Sequence, residues 1–408
     1  MSNENEKSID LEEAQNLILA ACSVLPEETL SLSLCLNRFP AGPLAALEAL
    51  PGYDQSLRDG YAICPGEPGQ EDADSFRIVD EVAAGDTRQL ALKPGEAIRI
   101  MTGGLVPDHC LAVVPNELCT VVDETVKIAE HLLGQRKSFI HSRGSELAKG
   151  QVIVPKGSAI RAEQQILLAG AGYETVAVVR KPRVSFFCTG SELVSGAEKK
   201  PAGKKFSANS HLLHGLVNQA GAELQTQKTV MDDPDNVLRV LTDMNRFGPD
   251  IIISTGGMGP GKFDLVEEAF SRAGGKVIYR SLHLRPGKAT LFGVLGSSIF
   301  FGMPGPPPAV HLLFNELIRP AILALQGAKS CRPQKMQAWL TEDLHLPERG
   351  LPRLKSGLLS FAEGKCLVRP SNRVEASNCY ISCPASGKEV KSGEKVIVHM
   401  IASSPGFG

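Results

Sequence analysis

Apolar residues recur at helical spacing near the start of the chain. Leu11, Ala14, Leu17, Ile18 and Ala21 follow an Asp10/Glu13 capping pair, which predicts one amphipathic helix. From about 44 to 147 the period changes. Short apolar runs such as FRIVDEVAAGD, EAIRIMTGG and CLAVVPNE are broken by Gly and Pro, a pattern that predicts a β-rich unit. A helix over 162–169 and the strand ETVAVVR then return to the character of the first segment, so the β-rich unit reads as an insertion splitting an α/β domain. Beyond Lys181, strand and helix alternate. RVSFFCTG, ELQTQKTV, PDIIISTGG, KVIYRSL, ATLFGVL and SSIFFGMPG predict strands, with helices over 209–218, from Pro234, over 263–273 and over 308–325. This alternation predicts a doubly wound parallel sheet. After Ala328 the chain is Gly-punctuated and strand-like, which predicts a small β-barrel or sandwich. The fold class is therefore multidomain α/β plus β. The expected domains are 7–43 with 148–180, then 44–147, 181–327 and 328–408.

Composition narrows the function. Lys+Arg 43 against Asp+Glu 45 leaves a net charge of −2, so no global field favours polyanions, and 5% aromatic residues with one Trp argue against a stacking platform for nucleic acid. No uninterrupted apolar run approaches the ~18 residues that span a bilayer. With the polar start MSNENEKSID, the expectation is a cytoplasmic protein that binds neither membrane nor nucleic acid. The 10 Cys are scattered without a CxxC pair, so reduced, packed thiols are expected. Residues 328–408 hold 12 Lys/Arg against 7 Asp/Glu. A basic terminal module beside an acidic body would frame a site for an anion next to a divalent cation; surface variation is the competing explanation.

Ligands of open parallel sheets bind beyond the carboxyl ends of the strands. Four loops there are chemically loaded: CTGSE, MDDPD, STGGMGPGKFD and GMPGPPP. Gly256, Gly257, Gly259 and Gly261 bring backbone N–H groups toward an oxyanion, or form only a tight turn; the loop is neither a Walker A motif nor GxGxxG. Glu192, Asp232, Asp233 and Asp264 lie on the same loops, where Mg²⁺ beside a phosphate takes one or two carboxylates. Asp233 reads rather as the cap of the helix at Pro234, and Asp264 as functional. Arg285 and Lys288 flank a Pro-Gly turn, either as two cations beside the cradle or as a solvated hairpin. In LPGYDQSLRDGYAI, Asp54, Arg58 and Asp59 crowd Tyr53 and Tyr61, as a site or interface or as a bland loop. His211 and His214 lie one helical turn apart and, lacking a third ligand, read as surface residues.

Read in order, LPGYDQSLRDGYA, GEAIRIMTGG, STGGMGPGKFD, RPGKATLFG and GMPGPPPAV make the chain resemble the molybdopterin molybdenumtransferases, the molybdenum-insertion enzymes homologous to the E domain of gephyrin. The resemblance covers essentially the whole chain. It implies an elongated homodimer of four-domain subunits that cleaves adenylylated molybdopterin with Mg²⁺, inserts molybdate or tungstate at the dithiolene and releases AMP. It further implies as partners a molybdopterin adenylyltransferase and molybdoenzyme apoproteins. The catalytic residues it implies are Asp59, delivered across the dimer interface, with Glu146, Glu192, Asp264 and Lys288. Those implied for ligand contact are Thr102, Gly103, Thr189, Asn209, Ser254, Gly256, Gly257, Gly261, Arg285, Pro304, Gly305 and Ser377. Asp232, Asp233 and Asp264 are the implied metal ligands. Several site positions depart from the family pattern. Met258-Gly259 stands for Val-Ser, Arg285 for the first Lys and Ala289 for the second Pro of Lys-Pro-Gly-Lys-Pro, Pro306 for the Asn of PGNP, and Ser207 for an Asp; the arginine expected from the last domain is not evident near Lys355. A non-catalytic pterin-binding paralogue, acting in sensing, scaffolding or cofactor delivery, is the alternative these departures raise.

Overall fold

The computed structural model describes residues 8–66, 74–133, 135–194, 201–258, 265–346, 350–385 and 389–401. The helix Leu11–Ala20 starts as its sequence dictates, with the Asp10 carboxylate accepting the Glu13 N–H at 2.7 Å. Strand Glu27–Ser31 pairs antiparallel with Thr175–Val179, so the chain leaves this small α/β unit and returns to it. Leu32, Ile153, Leu168, Val176 and Val178 form its core. Between lies a six-stranded sheet in the order Ala112–Pro115, Gly60–Cys64, Glu96–Ile100, Ser75–Val82, Thr125–Ile128, Cys119–Val122. Alternation sends Tyr61 and Ile63 into one core and Ala62 into another, covering both faces.

The central sheet runs Glu223–Val230, Arg183–Thr189, Ile251–Thr255, Ser298–Met303, Ala289–Leu295, Lys276–Ser281. Its first four strands are parallel. The last two join antiparallel, which modifies the all-parallel expectation. The reason is connection length: the two-residue link Gly296–Ser297 makes a hairpin, whereas a parallel crossover needs a dozen or more residues. Period-two alternation sends Phe186, Ile251, Ile253 and Phe301 to helices Ala208–Gln219 and Pro307–Leu313 on one face. Phe187, Ile252 and Phe300 face Pro234–Arg246 and Leu265–Arg272 on the other, completing the doubly wound packing.

The helix beginning at Pro307 widens into a π segment at Phe314–Ile318 before resuming as Arg319–Leu325. Pro320 explains this, because it has no N–H to give the carbonyl of Glu316. Gln15 Nε2 from the first helix donates to that carbonyl instead, at 2.9 Å. By length and composition Pro307–Leu325 would also cross a membrane, although His311, Asn315, Glu316 and Arg319 interrupt it; 72% of its most apolar stretch is buried, as befits a core helix. The tail closes into a five-stranded barrel, Lys335–Leu340, Lys365–Pro370, Arg353–Ala362, Cys379–Cys383, Lys395–Met400, the first of the two architectures predicted for it. All ten cysteines are free thiols.

Candidate active site

Four strand ends, at Thr189, Val230, Thr255 and Met303, converge as the parallel sheet requires. Gly256 threads between two of them: its N–H donates to Met303 O at 3.0 Å, and its φ is +88°. An added Cβ would sit 2.3 Å from the Thr189 carbonyl oxygen, so only glycine fits. Gly257, also left-handed, brings the loop within 2.9 Å of Val266 by the same measure. Asn209, 9% exposed in the first turn of Ala208–Gln219, donates to Gly305 O at 2.8 Å and Thr255 Oγ1 at 3.2 Å. These bonds make one floor, under a cleft of about 520 Å³ lined by Thr189, Glu192, Lys205, Ser207, Asn209, Gly305 and Pro306. Asn209 Oδ1 and Ser207 Oγ are buried there without a protein partner, which points to a ligand. Pro304, half-buried, precedes Gly305 in the floor. Ser254 differs from the expectation: alternation puts it on the Ile252 face, away from Asn209 and the cleft.

The carboxylates divide. Asp233 is committed to capping Pro234–Arg246, accepting Asn236 N–H at 2.9 Å. Asp232 accepts the Thr189 hydroxyl and, at 3.2 Å, the Ser191 N–H, so it braces the loop. Neither stands free as a metal ligand. Glu192 is exposed at the cleft. Gly261 and Asp264 lie outside the described residues, and among those described no cluster of three His, Cys, Asp or Glu could hold a metal ion.

A second cleft, of about 1080 Å³, opens between the helix start and the barrel and shares Pro306 with the first. Arg285 docks the 282–288 turn onto the barrel, donating its N–H to Pro352 O at 2.9 Å and accepting from Leu354 N at 3.1 Å. With it, Arg353, Lys355 and Arg373 make the cleft basic, and Ser377 lines the same wall. Glu375 is the carboxylate in that wall. Arg369 grips it at 2.6 and 3.0 Å, and together with the Asn372 N–H pulls its pKa down to about 2, so its charge is matched inside the wall. Lys288 is exposed and lines neither cleft.

In the inserted unit, Asp59 Oδ1 accepts both the N–H and the hydroxyl of Thr102 at 2.7 Å, and these two bonds hold its pKa below the usual carboxylate range. Gly103, left-handed at +80°, follows with its N–H on Ser56 O. Glu146 stands 3.5 Å from His141 Nε2. Among the described residues, no hydrogen bond or shared cleft links this group to the two clefts.

Two family models match, the MoeA N-terminal region (domain I and II) over residues 9–172 and a probable molybdopterin binding domain over 185–324. A molybdopterin molybdenumtransferase of Staphylococcus aureus (strain MRSA252) is 29% identical over 415 residues, covering 98% of this chain and 97% of its own length. The chain belongs to the molybdopterin molybdenumtransferase family. As a member it is an enzyme of molybdenum cofactor biosynthesis. The Bacillus subtilis (strain 168) molybdopterin molybdenumtransferase is likewise 29% identical, over 93% of this chain and 91% of its own. A molybdopterin biosynthesis protein of Pyrococcus horikoshii shares the fold at a TM-score of 0.83 and 23% identity, across 97% of this chain and 99% of that one. Departures from the molybdopterin molybdenumtransferase pattern now have places. Met258 is buried against Gly302, Ser207 supplies an unpartnered hydroxyl to the first cleft, and Pro306 joins both clefts. Sequence reasoning missed Arg353 and Arg373. The alternation Arg353-Leu354-Lys355 on one strand was a usable signal, since it sends both cations to one side; Arg373 sits in a loop and had none.

Proposed function

We propose that the chain cleaves adenylylated molybdopterin, releases AMP and inserts molybdate or tungstate at the dithiolene. The observation that carries this reading is the pair of adjoining clefts. The first offers a helix start, Lys205 and unpartnered polar atoms to an adenylylated pterin. The second gathers Arg285, Arg353, Lys355 and Arg373 around Ser377, where an oxyanion would sit beside the pterin sulfurs. Guanidinium groups preset in a walled cleft stabilise charge without reorganising. Glu192, exposed and free of the fold, suits the regime in which Mg²⁺ takes one carboxylate together with phosphate oxygens. When bound, Mg²⁺ would neutralise charge on the phosphoanhydride.

Two copies complete the site in this reading. Asp59 and Thr102 stand apart from both clefts within one chain, which supports delivery of Asp59 from a second subunit. Exposed apolar residues around helix Ala162–Gly170 support a face for that dimer. Ile166 there is 74% exposed and Leu34 65%, with Leu36, Leu47 and Val152 exposed nearby, an apolar patch that association would cover. The cytoplasm, and exchange with a molybdopterin adenylyltransferase and apoproteins, belong to the same proposal. Calorimetry with molybdate tests the oxyanion cleft. Binding that Arg373→Ala weakens about tenfold or more supports it, in line with the loss of a charge-assisted contact. Binding indifferent to both Arg353→Ala and Arg373→Ala would remove the cleft from the account.

A further inference from the structure

The basic cleft has two walls that belong to different folding units, so its shape depends on whatever fixes the barrel against the helix at Pro307. Pro308 and Leu312 line the cleft from the helix; Ser356 and Ser377 line it from the barrel. Behind them, Tyr380 Oη lies 2.7 Å from His311 Nδ1 and 3.4 Å from Asn315 Nδ2. Tyr380 is the register partner of Ser356 on the neighbouring barrel strand and follows Ser377 by three residues. His311 is the residue before Leu312. The hydrogen bond therefore joins the two walls at the depth of their innermost lining residues.

Its polarity can be read from chemistry. The Asn315 amide nitrogen only donates, so the phenol oxygen accepts there; with His311 in its Nε2–H tautomer the phenol proton goes to Nδ1. Burial lowers the His311 pKa and keeps that ring neutral, as an acceptor must be. At 1% exposure, Tyr380 does not touch a ligand in the cleft.

We infer that Tyr380 is a positioning residue for the oxyanion, setting the barrel wall of Ser377, Lys355 and Arg373 at fixed distance from the helix wall of Pro308 and Leu312 through its hydrogen bond to His311. The inference rests on the oxyanion reading of the basic cleft. Removing the hydroxyl lets the walls drift without creating a cavity, and an anion held by several groups at once loses affinity when their spacing loosens.

The test is the molybdate dependence of AMP release by the full-length protein, with KM for each substrate and kcat measured separately. Tyr380→Phe and His311→Leu are each expected to raise KM for molybdate about tenfold, the scale of one lost buried hydrogen bond, and to leave KM for adenylylated molybdopterin and kcat within about twofold. His311→Gln, which restores an acceptor to the phenol, is expected to return molybdate KM toward wild type. Equal loss in both substrates and kcat would show a merely structural role and overturn the inference. An effect of Arg373→Ala on molybdate KM with none from Tyr380→Phe would also overturn it, leaving the cleft reading intact. No effect from Arg373→Ala would sink that reading and this inference with it.

Discussion

Gly256 and Asp59 show how much single residues decide. At Gly256 a left-handed backbone and the Thr189 carbonyl leave no room for a side chain. Gly256→Ala is expected to cost about 2–3 kcal/mol, from combined backbone strain and overpacking, read as a lower midpoint in urea unfolding. At Asp59 the balance is reversed, because the carboxylate is exposed and, among the described residues, hydrogen-bonds to Thr102 alone. Asp59→Asn is expected to abolish AMP release and leave the thermal midpoint nearly unchanged; unaltered turnover would remove Asp59 from the reaction. The sign of its pH dependence follows from the lowered pKa. The stabilisation from the Thr102 bonds is fully present above the usual carboxylate range and fades as acidification passes the lowered value. Thermal melts between pH 5 and 2 should therefore show a small advantage of wild type over Asp59→Asn at pH 5 that disappears toward pH 2.

At the scale of elements, the joint around Pro320 ties three units together. The Glu316 side chain, fully buried, meets His399 Nδ1 of the barrel at 3.0 Å and Gln15 Nε2 of the first helix at 3.4 Å. Glu316→Ala strands His399 in the core, while Gln15 Nε2 keeps its bond to the Glu316 carbonyl. A loss of about 3–5 kcal/mol is expected in chemical denaturation, while Glu316→Gln, which still bonds, should lose less. Nothing local in the sequence marks this joint, since Gln15 and Glu316 are 301 residues apart, His399 lies 83 further on, and the three meet only through packing. What was legible was short-range. The continuous apolar run of IIIST, the Asp10 cap and the Asp233-Pro234 start each dictate their element locally. The antiparallel edge of the central sheet was missed because strand direction is set by how short a connection is, not by the strands themselves. Ser254 was misplaced for a related reason: sitting at a strand end says nothing about which face a side chain takes.

For the whole molecule, the loops Thr189–Glu192 and Gly302–Pro306 were recognisable as a site, whereas of the basic cleft only the cation excess after Ala328, with Arg285 and Ser377, was legible, because the cleft itself forms where the barrel docks on Arg285. The dimer is the corresponding claim beyond one chain. Light scattering at micromolar concentration should give twice the 43.6 kDa chain mass, and Ile166→Asp with Leu34→Asp should return it toward that of the single chain. A monomeric wild type would contradict a site completed by Asp59 of the partner subunit. The most direct test of the account is AMP release from adenylylated molybdopterin by the purified protein with Mg²⁺, with and without molybdate, repeated with tungstate. Release that depends on the oxyanion is the expected result and would name the preferred metal; tight pterin binding with no release under any condition would contradict it and make the chain a binding paralogue.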